Sequence, residues 1–323
     1  MKSAFVTGAT GFLGLHIVEQ LQTHGWSVRA VHRPSSNVQE LKRRGVELAV
    51  AGLDDRDALT QAMIEEVDAV FHVAGNTSIW RRHAAAQTRD NVGGTENVLS
   101  AARAKGAKRF VYTSTWCTFG LEHEVLSEET AQTGHLAPDN YSRSKHAAET
   151  AVLESGIESV ILNPAHIMGR YDRGNWSRLI TMVDQGRLPG IPPGAGAFSH
   201  AVEVARAHVM AATQGRPGAR YLLGGEDRSF VEVIGLIGEM LGRKVPRKAI
   251  SPALFKMVAW AKNAVAAVTG REPDLTPDGA RMVLVHPRIE STRAQDELAY
   301  RHVPVEIMLK DAIDWMRGEG LLT

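Results

Sequence analysis

The chain has 323 residues, 37 Lys and Arg against 36 Asp and Glu, a formal net charge of +1 and a single cysteine. That length can bury a large core, as one extended α/β unit or a main domain with a smaller one. The balanced charge, with no basic block, argues against a nucleic-acid partner, and the lone Cys117 excludes an intrachain disulfide and a thiolate metal cluster and fits a reducing cytoplasm.

Met1-Lys2 leads directly into a strand at 3–7, so no signal peptide is expected. A helix opens at Phe12 and runs to Leu21. Gly8, Gly11 and Gly14 sit across the join at spacing G-x-x-G-x-x-G, with Thr10, Phe12 and Leu13 among them. A sharp strand-to-helix turn leaves the first helical N–H groups unpaired and converging, which suits an anion. The glycines let a diphosphate approach the backbone, so the expected ligand is a dinucleotide.

Strands follow at 28–32, 46–50, 68–72, 109–113 and 159–163, with helices at 85–104 and 140–153. Strands recurring between helices predict a doubly wound parallel sheet, with ligands beyond the carboxyl ends of its strands. After Asn163-Pro164 the rhythm loosens, and the Gly-, Pro- and Arg-rich stretch 169–196 reads as irregular substrate-loop chain. Helices are expected at 202–212, 230–241 and 307–316, and a short strand at 220–223. The expected division is therefore a dinucleotide-binding domain, 1–163, and a smaller, mostly helical substrate-binding region, 164–323. Residues 252–268 form the most apolar run, but Lys256, Lys262 and Asn263 interrupt it; it reads as an amphipathic helix, and no membrane span is expected.

The strand ends supply the chemistry. At the second, an acid would hold the ribose hydroxyls of NAD; Arg33, followed by Ser35 and Ser36, instead predicts NADP with a 2′-phosphate on the guanidinium, against the alternative of a solvated surface arginine. Leu53-Asp54 follows the third, where the carboxylate accepts from the adenine amino group or caps a helix at Asp54 or Asp55. Val73-Ala74-Gly75 lets backbone pass close to a ribose. Tyr141 and Lys145 are four residues apart on a helix, hence on one face, so an ammonium can favour the phenolate of a tyrosine and allow proton exchange. Thr113-Ser114-Thr115 ends the fifth strand with hydroxyls for a substrate carbonyl, and Asn91 is placed to orient the lysine through a water.

The glycine motif, Asn91-Val92-Gly93-Gly94-Thr95-Glu96-Asn97-Val98, Tyr112-Thr113-Ser114-Thr115, Tyr141 with Lys145, and Asn163-Pro164 together resemble the extended short-chain dehydrogenase/reductases. The nearest likeness is to the dihydroflavonol-reductase-like and hydroxysteroid-dehydrogenase-like branch, bordering on the sugar-nucleotide epimerases. Tyr221-Leu222-Leu223-Gly224-Gly225 and Thr269-Gly270-Arg271-Glu272-Pro273 fit the same branch. The resemblance spans nearly the whole chain. It implies a Rossmann fold, Tyr141 as general acid/base, Lys145 as its activator and ribose ligand, and Thr115 in the place of the catalytic hydroxyl. It extends the cofactor contacts to Thr113, Asn163, Pro164 and His166, and implies a homodimer through the helices around Asn91 and Lys145. The chain departs from the family at Gly169-Arg170, at His200-Ala201-Val202-Glu203-Val204 and at Trp116, Cys117 and Phe119, which unsettles substrate identity.

Trp80, Trp116, Phe119, Met168, Tyr171 and Trp176 are expected in the substrate wall, favouring an apolar or aromatic carbonyl compound; the alternative is that several are core. Arg170, Arg173 and Arg178 pull towards a diphosphate substrate, or lie in water. The expected activity is NADP(H)-dependent interconversion of a carbonyl and an alcohol, without a metal. The rivals are a sugar-nucleotide epimerase or dehydratase that keeps NAD(P) tightly bound, and a non-enzymatic NADP-sensing protein.

Overall fold

A computed structural model describes residues 1–323. Seven strands form one parallel sheet: β1 (Ser3–Thr7), β2 (Ser27–His32), β3 (Glu47–Val50), β4 (Ala69–His72), β5 (Phe110–Thr113), β7 (Ser159–Pro164) and β10 (Arg220–Leu223). Their order is β10-β7-β5-β4-β1-β2-β3. The order reverses between β1 and β4, which pair in parallel from Ala4 opposite Ala69 to Thr7 opposite His72. A crevice at such a reversal is where this sheet type binds its ligand.

Alternation along the central strands explains the two layers. Ala4, Val6, Phe71, Val111 and Leu162 face one side, against Leu13, Ile17 and Leu21 of α1 (Phe12–Thr23) and Val204, Ala205 and Val209 of α8 (Ala201–Thr213). Phe5, Val70, Phe110, Tyr112 and Ile161 face the other, against Leu59 of α3 (Arg56–Ala62), Leu99 and Ala102 of α5 (Gly94–Ala104) and Ala148 and Val152 of α6 (Asn140–Leu153). Full burial of a side chain such as Phe5 or Phe110 contributes about 1.5–3 kcal/mol.

The doubly wound parallel sheet is as expected; several parts of the chain are not. Beyond residue 164 the chain returns to the sheet with β10 and covers it with α8, so a division at 163 runs through this layer rather than beside it. Stretch 169–196 is not wholly irregular. It holds α7 (Trp176–Asp184), whose Trp176, Ile180 and Val183 are buried, and ends in β9 (Ala195–His200); its three prolines and Gly186, Gly190 and Gly194 lie between these elements. β9 pairs with β8 (His166–Met168) and β11 (Glu226–Ser229) in a second, three-stranded sheet. The helix expected over 85–104 is composite: α4 (Ala84–Thr88), a π turn (Arg89–Gly93), then α5.

The smaller layer packs α7, α9 (Phe230–Leu241) and α13 (Val305–Gly318) around Met168, Phe198 and Phe230. Beside it run α10 (Pro252–Thr269) and α11 (Pro277–Val283). The short elements α2 (Gln39–Arg43), β6 (Val125–Leu126), β12 (Arg288–Ile289) and α12 (Thr292–Leu298) complete the chain, with β6 and β12 paired in parallel.

Candidate active site

A groove of ≈ 1020 Å³ follows the carboxyl ends of β1 to β4. Of the residues expected to hold a cofactor, Gly8, Thr10, Arg33, Leu53, Asp54, Ala74 and Gly75 line it. The glycine turn meets two demands. Gly8 has φ +70°, and a Cβ there would stand 2.6 Å from the Ala74 amide nitrogen. A Cβ on Gly14 would stand 2.0 Å from the Gly8 carbonyl oxygen. These glycines therefore let β1, α1 and the chain after β4 come together. Gly11 caps α1 without a side-chain hydrogen bond, leaving the helix's leading amides to a ligand. Phe12 starts α1 with its ring against His16, and Leu13 points into the core. The cradle fits a dinucleotide: open amides, close backbone and an arginine at the end of β2. Gly8→Ala is expected to lower stability by about 1 kcal/mol or more from the positive φ alone and to abolish cofactor binding; thermal unfolding and cofactor titration check both.

Arg33 is exposed at the rim and makes no ion pair or side-chain hydrogen bond within the chain. Asp55, not Asp54, caps α3, accepting from the Ala58 amide at 2.9 Å, which leaves Asp54 in the groove. The Leu53 carbonyl accepts from Asn97 at 2.8 Å. Val73 packs against the core beneath the groove.

α6 carries Tyr141 and Lys145 and is capped by Asp139, which accepts from the Ser142 amide at 2.7 Å. Tyr141 is half-buried against the cluster of Trp116, Phe119 and Leu126. Burial raises its phenol above the usual tyrosine value, Cys117 adds to this, and the neighbouring Thr115 hydroxyl opposes it. Thr115 is buried and its hydroxyl accepts from the Cys117 amide at 3.3 Å. The phenol and hydroxyl of the expected pair are thus neighbours.

Lys145 is buried, and its Nζ donates at 2.7 Å to the Tyr112 phenol and at 2.7 Å to the Thr113 carbonyl. Its Nζ also lies 4.2 Å from the centroid of the Tyr112 ring. Burial lowers its pKa to about 7, with Glu149 opposing. Its direct partners are therefore on β5, not Tyr141. Tyr112 was not among the expected site residues, although it stands in the quoted Tyr112-Thr113-Ser114-Thr115 run. Burial raises the Tyr112 phenol well above its usual value, which keeps it a neutral acceptor for the ammonium.

Asn91 sits in the π turn. Its amide donates at 3.0 Å to the Asn76 carbonyl and at 3.0 Å to the Ser144 hydroxyl, and its Oδ1 accepts from the Asn76 amide at 2.7 Å. Wide turns of this kind recur at functional sites. Here the turn ties the chain after β4 to α6. A Cβ on Gly75 would lie 3.5 Å from Asn91 Oδ1 and 3.8 Å from Lys145 Nζ, so Gly75 joins the groove to this polar cluster. Beneath it, the Thr95 hydroxyl donates to the Asn91 carbonyl at 2.6 Å, so towards His72 Nε2, at 2.9 Å, it accepts. That assigns the proton to Nε2 and makes Nδ1 the acceptor of the Thr7 hydroxyl at 2.7 Å. His72 is a packed, neutral link, its pKa lowered to about 3 by burial and by Lys145.

Other expected contacts lie elsewhere. Asn163 is fully buried behind Thr115, donating to its carbonyl at 3.0 Å and to Glu149 at 2.7 Å. Pro164 ends β7 inside the fold. His166 packs among Trp176, Phe198 and Phe230, and burial lowers its pKa to about 4. None of the six expected substrate-wall residues lines the groove. Phe119, Met168 and Trp176 are core, because aromatic and long apolar side chains gain most where water is excluded. Tyr171, with φ +67°, lies between α1 and α13, accepting from Arg44 at 2.7 Å and packing on His16 and Trp315. Trp116 packs beside Tyr141, and Trp80 lines a smaller neighbouring cavity of ≈ 410 Å³. Of the three arginines, Arg170 is tied to Glu19 and Asp311 and Arg173 to Glu319, while Arg178 reaches the groove beside Asp274.

The outer wall comes instead from Asn76 to Ile79 and from Glu272 to Thr276. They are latched together: Ser78 donates to Glu272 at 2.5 Å, and Arg81 grips buried Asp278 at 2.6 and 2.9 Å. The signal for this wall was Thr269-Gly270-Arg271-Glu272-Pro273, whose last two residues line the groove.

A dinucleotide cradle at the reversal of a parallel sheet, with tyrosine, threonine and lysine gathered nearby, defines a nucleotide-dependent oxidoreductase. Residues 4–224 match the NAD dependent epimerase/dehydratase family, and the chain belongs to it. It is 29% identical to a dihydroflavonol 4-reductase-like protein of Synechocystis, over 98% of this chain and 95% of that one. It is 30% identical to sterol demethylase protein B of Methylococcus capsulatus, over 99% and 100%. The solved structure of gox2253 superposes with a TM-score of 0.86 at 28% identity, covering 100% of both chains. No helix is long and apolar enough to cross a membrane.

Proposed function

We propose that the protein is an NADP(H)-preferring reductase of an apolar or aromatic ketone or aldehyde. The observation that carries the reading is the Tyr141 phenol, beside the Thr115 hydroxyl and kept protonated by burial, on the same helix as Lys145. Gly8, Thr10, Arg33, Asp54 and Gly75 would hold the dinucleotide, whose nicotinamide would supply hydride for a carbonyl carbon. Tyr141 donates its proton to the carbonyl oxygen as the C=O bond becomes C–O–H, and Thr115 helps hold that oxygen. Lys145 places a positive charge behind the phenolate that remains, so it favours the proton's departure. Holding the reactants together is much of the acceleration.

The names of two relatives refer to a dihydroflavonol, an aromatic ketone, and to a sterol, an apolar ring system, which supports that substrate class. Trp116 beside Tyr141 supports it too. The unpaired Arg33 supports NADP. Arg33→Ala is expected to weaken NADPH binding about ten- to a hundredfold and leave NADH nearly unchanged, by fluorescence titration. Equal loss for both coenzymes refutes the 2′-phosphate contact. An NADPH-oxidation screen across aromatic aldehydes, cyclic ketones, steroids and sugar nucleotides tests the activity.

A second reading rests on the polar outer wall with Arg178, Asp274 and Glu272: an epimerase or dehydratase acting on a sugar nucleotide and returning the hydride to the same molecule. Such an enzyme retains its coenzyme through purification, whereas a reductase exchanges it, so the coenzyme content of the purified protein separates the two.

A further inference from the structure

α10 leaves its apolar face in water. Phe255, Ala259 and Ala266 are its buried residues, and the first two pack with Ala280 and Leu275 in and before α11. On the opposite side Leu254, Met257, Trp260, Val265 and Val268 are exposed, Trp260 by 69% and Val268 by 89%. Ala261, Ala264 and Ala267 are exposed between them. These positions recur every three to four residues and make one continuous stripe, whose charged edge residue is Lys256. Isolated exposed apolar residues need no explanation; five large ones on a single helix face mark a contact surface.

The charge around the stripe identifies the partner. From Arg243 to Arg271 the chain carries seven Lys and Arg and no Asp or Glu. Arg243 pairs with Asp184 and Lys262 with Asp274. Lys244, Arg247, Lys248, Lys256 and Arg271 are exposed and make no ion pair. Two copies meeting through this face would oppose cationic rims of the same sign. A bilayer bearing anionic headgroups satisfies both parts, taking the apolar stripe at the acyl boundary and the rim at the phosphates. An 18-residue helix of about 27 Å, packed on α11 along its other face, lies along such a surface rather than through it.

We propose that α10 docks the protein on the surface of anionic lipid bilayers, Trp260 and Met257 inserting and Arg247, Lys248, Lys256 and Arg271 contacting the headgroups. The assignment does not depend on the reductase reading. The smaller cavity, lined by Asn263 and Ala267 of α10 and sharing Ile79 and Thr276 with the groove, places this surface beside the site.

Flotation of the full chain with phosphatidylcholine vesicles, with and without phosphatidylglycerol, tests the proposal. Binding is expected only with phosphatidylglycerol, to fall as salt rises, and to weaken about tenfold or more in Met257→Glu/Trp260→Glu and in Lys248→Glu/Lys256→Glu. Circular dichroism and coenzyme titration identify the variants that remain folded. A blue shift of tryptophan emission on binding, absent in Trp260→Phe, is expected as well. Equal flotation of wild type and folded variants, or no flotation with either vesicle, overturns the proposal. So does a lipid-free dimer that both double variants dissolve, which makes a second copy the occupant.

Discussion

Tyr141→Phe is expected to keep the fold and the coenzyme affinity and to lose turnover by about 10²–10⁴-fold, the usual contribution of a positioned general acid. The ring stays in its place against Trp116 and Phe119; only the hydroxyl facing Thr115 goes. The pH profile adds a second readout. The buried phenol remains protonated through the neutral range, so the donor itself sets no limb there. Lys145 does: burial lowers its pKa to about 7, so its charge is present below that pH and lost above it. kcat/KM for reduction, which reports groups of the free enzyme, is therefore expected to fall as pH rises through about 7. Lys145→Arg, charged throughout, is expected to remove that limb even where the rate is lower. Substantial reduction by Tyr141→Phe, or a limb unchanged in Lys145→Arg, rejects the roles given to these residues.

Much of the framework was legible because it is local. The strands of a buried parallel sheet are short apolar runs, and the glycine turn advertises itself by spacing. The pairing of Tyr141 with Lys145 on one helical face follows from helix geometry. What escaped depends on distant partners. β8 is defined by β9 and β9 by β11, in pairs such as His166 opposite Phe198 and Phe198 opposite Glu226. In the π turn at 89–93 Asn91 reaches both Asn76 and Ser144, neither of which is visible in its own stretch. Composition also misplaced the aromatic wall. Trp176 and Phe119 resemble pocket residues by their position in the chain, yet they are worth more in the core, and the groove is lined by Ser78, Asp274 and Thr276 instead. Arg170 and Tyr171 looked like ligand contacts and are ties between α1 and α13.

The motif on α6 continues one turn past Lys145, to a residue the sequence reading passed over. Glu149 is fully buried and collects donors from five other segments. Its Oε1 accepts from Ser114 at 2.5 Å, Thr118 at 3.0 Å and Asn163 at 2.7 Å; its Oε2 accepts from Gln132 at 2.8 Å and Arg220 at 2.8 Å. One carboxylate thus joins the ends of β5 and β7, the turn after Thr115, the chain before α6 and β10. Removing it strands several buried donors and the charge of Arg220 together. Glu149→Ala is expected to cost about 3–5 kcal/mol, the usual penalty for breaking a buried ion pair, and to lower the unfolding temperature by several degrees. Glu149→Gln keeps the shape but turns an amide NH₂ towards groups that already donate, so it is expected to recover only part of the loss. Because Asn163 also holds the Thr115 carbonyl, the surviving folded fraction is expected to show a lower kcat with coenzyme affinity nearly unchanged. A kcat per folded molecule equal to wild type would limit Glu149 to stability, and an unfolding temperature unmoved by Glu149→Ala would remove it as the tie between sheet and site.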